Sequence, residues 1–140
     1  MARKSIHTSK QLSARRQINA AIAHLHNGEF ECAITLAAAA EGQLSDTNKF
    51  YLFQLLKKRF GPKPAPEDDP NRIINWLKHP IKPETATICE FEVALTISRA
   101  IHKFVAVYEV SAREFEGFNI WAIENGHLPR PLTEASAGDK

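Results

Sequence analysis

Along this chain, apolar residues recur every three or four positions in several segments, separated by short clusters rich in glycine and proline. That spacing lines one side of an α-helix; the every-second-residue alternation of a half-buried strand is missing. The first segment opens at Thr8-Ser9-Lys10-Gln11, where a hydroxyl followed three residues later by Gln has the form of a capping box. It carries Leu12, Ile18, Ile22 and Leu25 on one side and stops at Asn27-Gly28, a pair suited to closing a helix. A second helix is predicted from about Glu29, with Phe30, Ala33, Ile34, Ala37, Ala38 and Leu44 facing inward. Its run Leu36-Ala37-Ala38-Ala39-Ala40 favours helix, and its small side chains let another helix approach closely, in the same chain or in a second copy.

A third helix is predicted over 47–60, with Phe50, Leu52, Phe53, Leu55, Leu56 and Phe60 on a broad apolar surface. Gly61-Pro62-Lys63-Pro64-Ala65-Pro66 then breaks the helix and predicts a stiff extended connection. A short helix follows over 70–79, with Asp69 as its cap and Pro70 at its first position, stopped by Pro80 and Pro83. Thr87-Ile88-Cys89-Glu90 repeats the capping-box pattern and opens the longest helix, to about Val110, with Phe91, Ala94, Leu95, Ser98, Ile101, Val105 and Tyr108 at helical spacing. Ser111-Ala112-Arg113-Glu114 starts a last helix through Phe115, Phe118, Trp121 and Ile123 to Asn125-Gly126. The expected fold is all-α: an antiparallel bundle of four main helices with one or two short accessory helices. It forms one domain over 9–127, between flexible ends at 1–8 and 128–140.

Composition narrows the function classes. With 140 residues, 44% apolar and 24% charged with both signs mixed, the chain can bury one core and is not broadly disordered. No apolar run approaches the roughly eighteen residues that span a bilayer, and Met-Ala-Arg-Lys-Ser lacks an apolar signal region. A cytoplasmic protein with no membrane partner is expected. Cys32 and Cys89 fall on predicted apolar faces, so buried, reduced thiols are expected and no metal-type pairing is present. His24 and His26 cannot share a helix face, which leaves no metal site and no cofactor motif. The net charge of +2 hides an asymmetry: residues 1–82 hold 13 Lys and Arg against 7 Asp and Glu, whereas residues 83–140 hold 5 against 9. A basic surface of this kind attracts nucleic acid, or is a solvated helix face.

The short helix concentrates the chemistry. Arg72, Asn75 and His79 are spaced by three and four residues, placing a fixed cation, an amide and a neutral-range titrating group on one stripe. Arg72 could hold a phosphate through its fork and His79 could move a proton, while Lys78 could neutralise a neighbouring phosphate. Asn75 could orient His79 or a substrate, and Trp76 could stack a base or anchor the helix to the bundle. A purely structural arrangement is equally concrete: Arg72 paired with Asp68 or Asp69, Asn75 on the Pro-rich connection, and His79 at a helix C-terminus favoured by the dipole.

Three stretches carry a resemblance. Ala33-Ile34-Thr35-Leu36-Ala37-Ala38-Ala39-Ala40-Glu41, then Asn75-Trp76-Leu77-Lys78-His79, then Phe91-Glu92-Val93-Ala94 through Arg99-Ala100-Ile101-His102-Lys103-Phe104, resemble small, largely uncharacterised bacterial helical proteins of the HEPN superfamily. The likeness extends over about residues 10–125. It implies a helical bundle that commonly dimerises, and in many members a metal-independent ribonuclease built on an arginine followed, after four to six residues, by a histidine. Arg72 and His79 would be that pair, with six residues between them. A two-fold dimer would bring a second histidine for the other half of the acid–base work. The resemblance implies RNA or a partner protein as ligand, and a defence or toxin–antitoxin setting. The competing expectation is a non-catalytic interaction bundle with no active site.

Overall fold

The computed structural model describes residues 3–45 and 71–130. Among these residues the chain forms five helices and no strand: α1 (Lys10–His26), α2 (Phe30–Gly42), α3 (Arg72–Lys78), α4 (Glu90–Tyr108) and α5 (Arg113–Glu124). Four longer helices packed with one short one make the expected all-α bundle. The helix predicted over 47–60, with Phe50 and Phe53, and the Pro-rich connection lie outside the described residues.

α1 and α2 form a tight hairpin. The Asn27-Gly28 signal works as read: Gly28 adopts φ +78°, the Gly28 N–H donates to the Leu25 carbonyl (3.0 Å) and the Glu29 N–H to the His24 carbonyl (2.9 Å). Those two bonds are the Schellman pattern, which satisfies the last orphan carbonyls of the helix. Asn125-Gly126 closes α5 in the same way, with Gly126 at φ +76°, its N–H on the Ile123 carbonyl (3.1 Å) and the His127 N–H on the Ala122 carbonyl (2.8 Å). The two faces of the hairpin meet through small residues: Ala14 and Ala21 of α1, and Ala33, Ala37 and Ala40 of α2, are wholly buried. The close approach permitted by the alanine run is therefore used inside the chain, against α1 and α4.

α4 is the central element, packed by α1, α2 and α5. This position corrects the single apolar stripe expected of it. Val93, Ile97, Ala100 and Phe104 are buried along with Ala94, Ser98 and Ile101, while Phe91, Leu95, Val105 and Tyr108 are half-exposed. A helix covered on several sides has no single dry face for periodicity to reveal. Phe104 meets Phe115 edge to face (5.3 Å between ring centres) and Tyr108 at 4.9 Å, joining α5 to the core. Trp121 of α5 is half-buried.

Several helix starts differ from those read in the sequence. Ser9, not Thr8, caps α1, its Oγ accepting the Leu12 N–H (3.0 Å), while the Thr8 hydroxyl bonds that of Ser13 (3.1 Å). α3 begins at Arg72 with Asn71 as its cap, two residues beyond the expected start at Pro70, which itself lies outside the described residues. α4 is opened by Cys89 and Glu92 rather than by Thr87 and Glu90: the Glu92 carboxylate accepts the Cys89 N–H (3.0 Å). α4 stops at Tyr108, where Glu109 takes the left-handed conformation (φ 57°). α5 follows Ala112, which has no side-chain oxygen to cap with, instead of Ser111. Cys32 and Cys89 are reduced but exposed, contrary to the expected burial, because one lies on the outer side of α2 and the other at the mouth of α4. Leu12 is likewise exposed, because Ala14 and Ile18 supply the inward face of α1.

Candidate functional site

α3 is fastened by its apolar side. Ile73 and Ile74 are buried and Leu77 packs against the core, so a seven-residue helix too short to be stable alone is held by burial. This leaves Arg72, Asn75, Lys78 and His79 to the polar side.

Arg72 is already engaged. Its Nη2 donates to Glu92 Oε1 at 2.6 Å, and the other oxygen of Glu92 accepts the Cys89 N–H. One carboxylate thus caps α4 and ties down α3, with neither side chain more than 37% exposed. His79 is at the opposite end of α3. It is the C-cap residue, with φ −127° and ψ 149°, and its side chain is exposed. Seven residues of helix rise by about 10 Å, so Arg72 and His79 mark the two ends of α3 rather than one compact pair. Among the described residues no hydrogen bond or ion pair joins them. Asn75 and Lys78 are exposed. Trp76 is half-buried, and its indole N–H donates to the Pro83 carbonyl at 2.6 Å, which pins α3 to the segment leading into α4. Of the residues singled out in the sequence, the structure gives Arg72 and Trp76 structural contacts and leaves Asn75, Lys78 and His79 on the surface.

A different set converges on the other flank of α3. Arg99 and Lys103, one turn apart on α4, are only 6% and 7% exposed. Arg99 donates from Nη1 to Asn71 Oδ1 and from Nη2 to Glu41 Oε1, both at 3.0 Å. Lys103 Nζ donates to the Glu41 carbonyl at 3.2 Å, in the last turn of α2. These groups, with Ala38, Gly42, Ile74 and Lys78, line a cleft of about 170 Å³ between the end of α2, α3 and α4. Among the described residues its lining holds three cations and one carboxylate. Like charges four apart on a helix repel, and burying them raises the penalty, so two cations here are an expensive choice for a bundle core. In the sequence, Arg99 and Lys103 belong to a run that carries the resemblance but have no role of their own assigned. Their signal was present, as charges embedded in the otherwise apolar run from Val93 to Phe104, but which side they faced depended on the packing of α2 and α3.

The other polar groups serve the joints of the bundle. Glu114, in the first turn of α5, accepts from Asn19 Nδ2 (3.0 Å) and Arg15 Nε (2.9 Å) of α1. A backbone N–H bond, then those from Asn19 and Arg15, hold its carboxyl below the ordinary glutamate pKa. His127 bonds Glu90 at 2.6 Å and, with His26, flanks the Trp121 ring at centre distances of 5.4 and 5.0 Å. A more open, mainly apolar groove of about 340 Å³ lies between His24, Glu31, Cys32, Thr35, Leu36 and Leu77. Among the described residues there is no cluster of three metal-ligating side chains and no helix long and apolar enough to cross a membrane.

In comparisons with known proteins, no family model matches the chain, and no curated protein or solved structure is significantly similar to it.

Proposed function

We propose that the protein is a HEPN-like helical module that binds RNA without cleaving it, with the cationic cleft beside α3 as its phosphate contact. The observation that carries this reading is the exposed Lys78 beside a cleft whose lining includes the buried side chains of Arg99 and Lys103, each held by Glu41. An exposed lysine on a basic surface attracts phosphate by its charge. The exposed cations Lys10, Arg16 and Lys82, from the basic residues 1–82 that also hold Lys78, add long-range attraction. The engagement of Arg72 by Glu92, and its separation from His79 along α3, favour binding over cleavage at those two positions.

The test is a titration of the purified chain with single-stranded RNA in EDTA, followed by fluorescence anisotropy at several salt concentrations. Binding should weaken with salt at a slope near −0.7 for each phosphate engaged, the RNA should remain intact, and Lys78→Glu should weaken binding about tenfold or more. Absence of RNA binding would leave a protein-binding bundle as the better account. RNA cleavage abolished by His79→Ala would restore the nuclease reading, with a homodimer pairing two histidines.

A further inference from the structure

The segment before α1 is a basic arm with an apolar residue that its own chain leaves uncovered. Arg3, Lys4, Ser5, Ile6 and His7 are all exposed, and Ile6, at 78%, is the most exposed large apolar residue among those described. The arm is fixed only at its root, where Ser9 caps α1 and the Thr8 hydroxyl bonds that of Ser13. A single exposed isoleucine is ordinary on a protein surface. What sets Ile6 apart is a matching surface at the far end of α1.

That surface is the open groove of about 340 Å³ lined by His24, Glu31, Cys32, Thr35, Leu36 and Leu77. Leu36 and Leu77 are half-buried and form its apolar floor, while Glu31, Cys32 and Thr35 stay exposed along it. Its lining holds no lysine or arginine. Its carboxylate, Glu31, is joined at the His24 edge by Glu29, whose Oε1 lies 2.9 Å from His24 Nδ1. An apolar floor edged by carboxylates complements an isoleucine that follows two cations. The arm cannot fill the far end of the groove in its own chain. α1 rises by about 21 Å from Lys10 to His24, whereas the extended chain from Lys10 back to Ile6 reaches at most about 14 Å.

We infer that the arm seats in the groove of a second copy of this chain. Ile6 packs on Leu36 and Leu77, and Arg3 and Lys4 turn toward Glu31 and Glu29. Reciprocal exchange of arms gives both copies the same contact and closes a two-fold dimer. The RNA reading is independent of this exchange, because the cations committed to the groove are Arg3 and Lys4 rather than Lys78.

The experiment is sedimentation velocity of the full chain from about 10 μM to 1 mM, a range that resolves a weak dimer. A concentration-dependent dimer is expected. Ile6→Asp and Glu31→Lys should each weaken it about tenfold or more, with circular dichroism unchanged because both residues are exposed. Adding Arg3→Glu to Glu31→Lys should recover part of the loss, since the opposed charges are then restored in reverse. Cys32 in the groove reports the location. With Cys89→Ser removing the other thiol, Ile6→Cys under mild oxidation should give a disulfide between position 6 of one copy and Cys32 of another, identified by peptide mapping. A monomer at every concentration would overturn the exchange, and RNA binding by that monomer would leave the RNA reading standing. A dimer indifferent to Ile6→Asp and Glu31→Lys, or a disulfide from position 6 to Cys32 within one chain, would overturn it as well.

Discussion

The two flanks of α3 use the same kinds of group for different ends. On one flank Arg72 meets Glu92 in a pair that is 37% and 26% exposed, and the carboxylate is shared with the opening turn of α4. On the other, Arg99 and Glu41 are 7% and 13% exposed, with Lys103 beside them and a cleft in front. The first pair is a half-buried strut, partly screened by water and salt, whose contribution to stability is modest. The second is a buried constellation in which each charge depends on the others, so that removing any one leaves a charge in a poorly solvated place. An arginine is therefore not a site by its identity or by its spacing from a histidine. What its surroundings leave for a ligand to do is decisive.

The largest expected effect is on the buried flank. Arg99→Ala should destabilise the fold by about 3–5 kcal/mol, because Glu41 is left buried without its cation. Urea unfolding would measure this, and a loss below about 1 kcal/mol would mean the two flanks are alike. A double-mutant cycle of Arg99→Ala with Glu41→Ala should then recover a coupling of about 1–3 kcal/mol, since the two side chains are in direct contact. Arg72→Ala should lose about 1 kcal/mol or less, discounted for exposure. That loss should shrink in 1 M salt, where the screening length falls to about 3 Å, while the Arg99 deficit persists. A salt-insensitive Arg72 deficit would erase the distinction.

The smallest effect concerns a third polar joint, Glu114 on Arg15 and Asn19. Its pKa is depressed in the folded state by a backbone N–H and those two side chains, so the unfolded chain binds more protons in the acid range. The stability it confers is complete above the ordinary glutamate pKa and is lost as pH falls through the lowered one. Unfolding between about pH 6 and pH 3 should be less steeply pH-dependent in Glu114→Gln than in the parent, by a few tenths of a kcal/mol at this one-third-exposed site. An identical slope would show that the joint carries no linkage.

Much of the scaffold was legible because its signals are local. Asn27-Gly28 and Asn125-Gly126 end helices through the backbone freedom of a single glycine, and nothing distant is required. The starts were less legible. Thr8, Thr87 and Ser111 all carry oxygens in plausible capping positions, yet Ser9, Cys89 and Ala112 occupy the N-cap positions, Ala112 with no side-chain oxygen at all. Several neighbouring residues can serve that role at little energetic difference, and tertiary packing selects the one that lets the apolar face turn inward. Asn71 illustrates the competition: it occupies the cap position of α3, but its side-chain oxygen accepts from Arg99 instead of capping.

The sequence by itself determined that the chain is all-helical, where α1 and α5 end, that α2 approaches its neighbours closely, and that charge divides between the two halves of the chain. Helix periodicity, propensity and glycine conformation act over a few residues, so one strand of text contains them. Only the tertiary structure decided which cations face inward. Lys78, Arg99 and Glu41 lie as much as 58 positions apart, and their meeting depends on how α2, α3 and α4 cross. The same crossing gave Arg72 to Glu92, a partner 20 residues away, and left His79 on the surface. Spacing along a helix shows which residues share a side; only packing shows what that side meets.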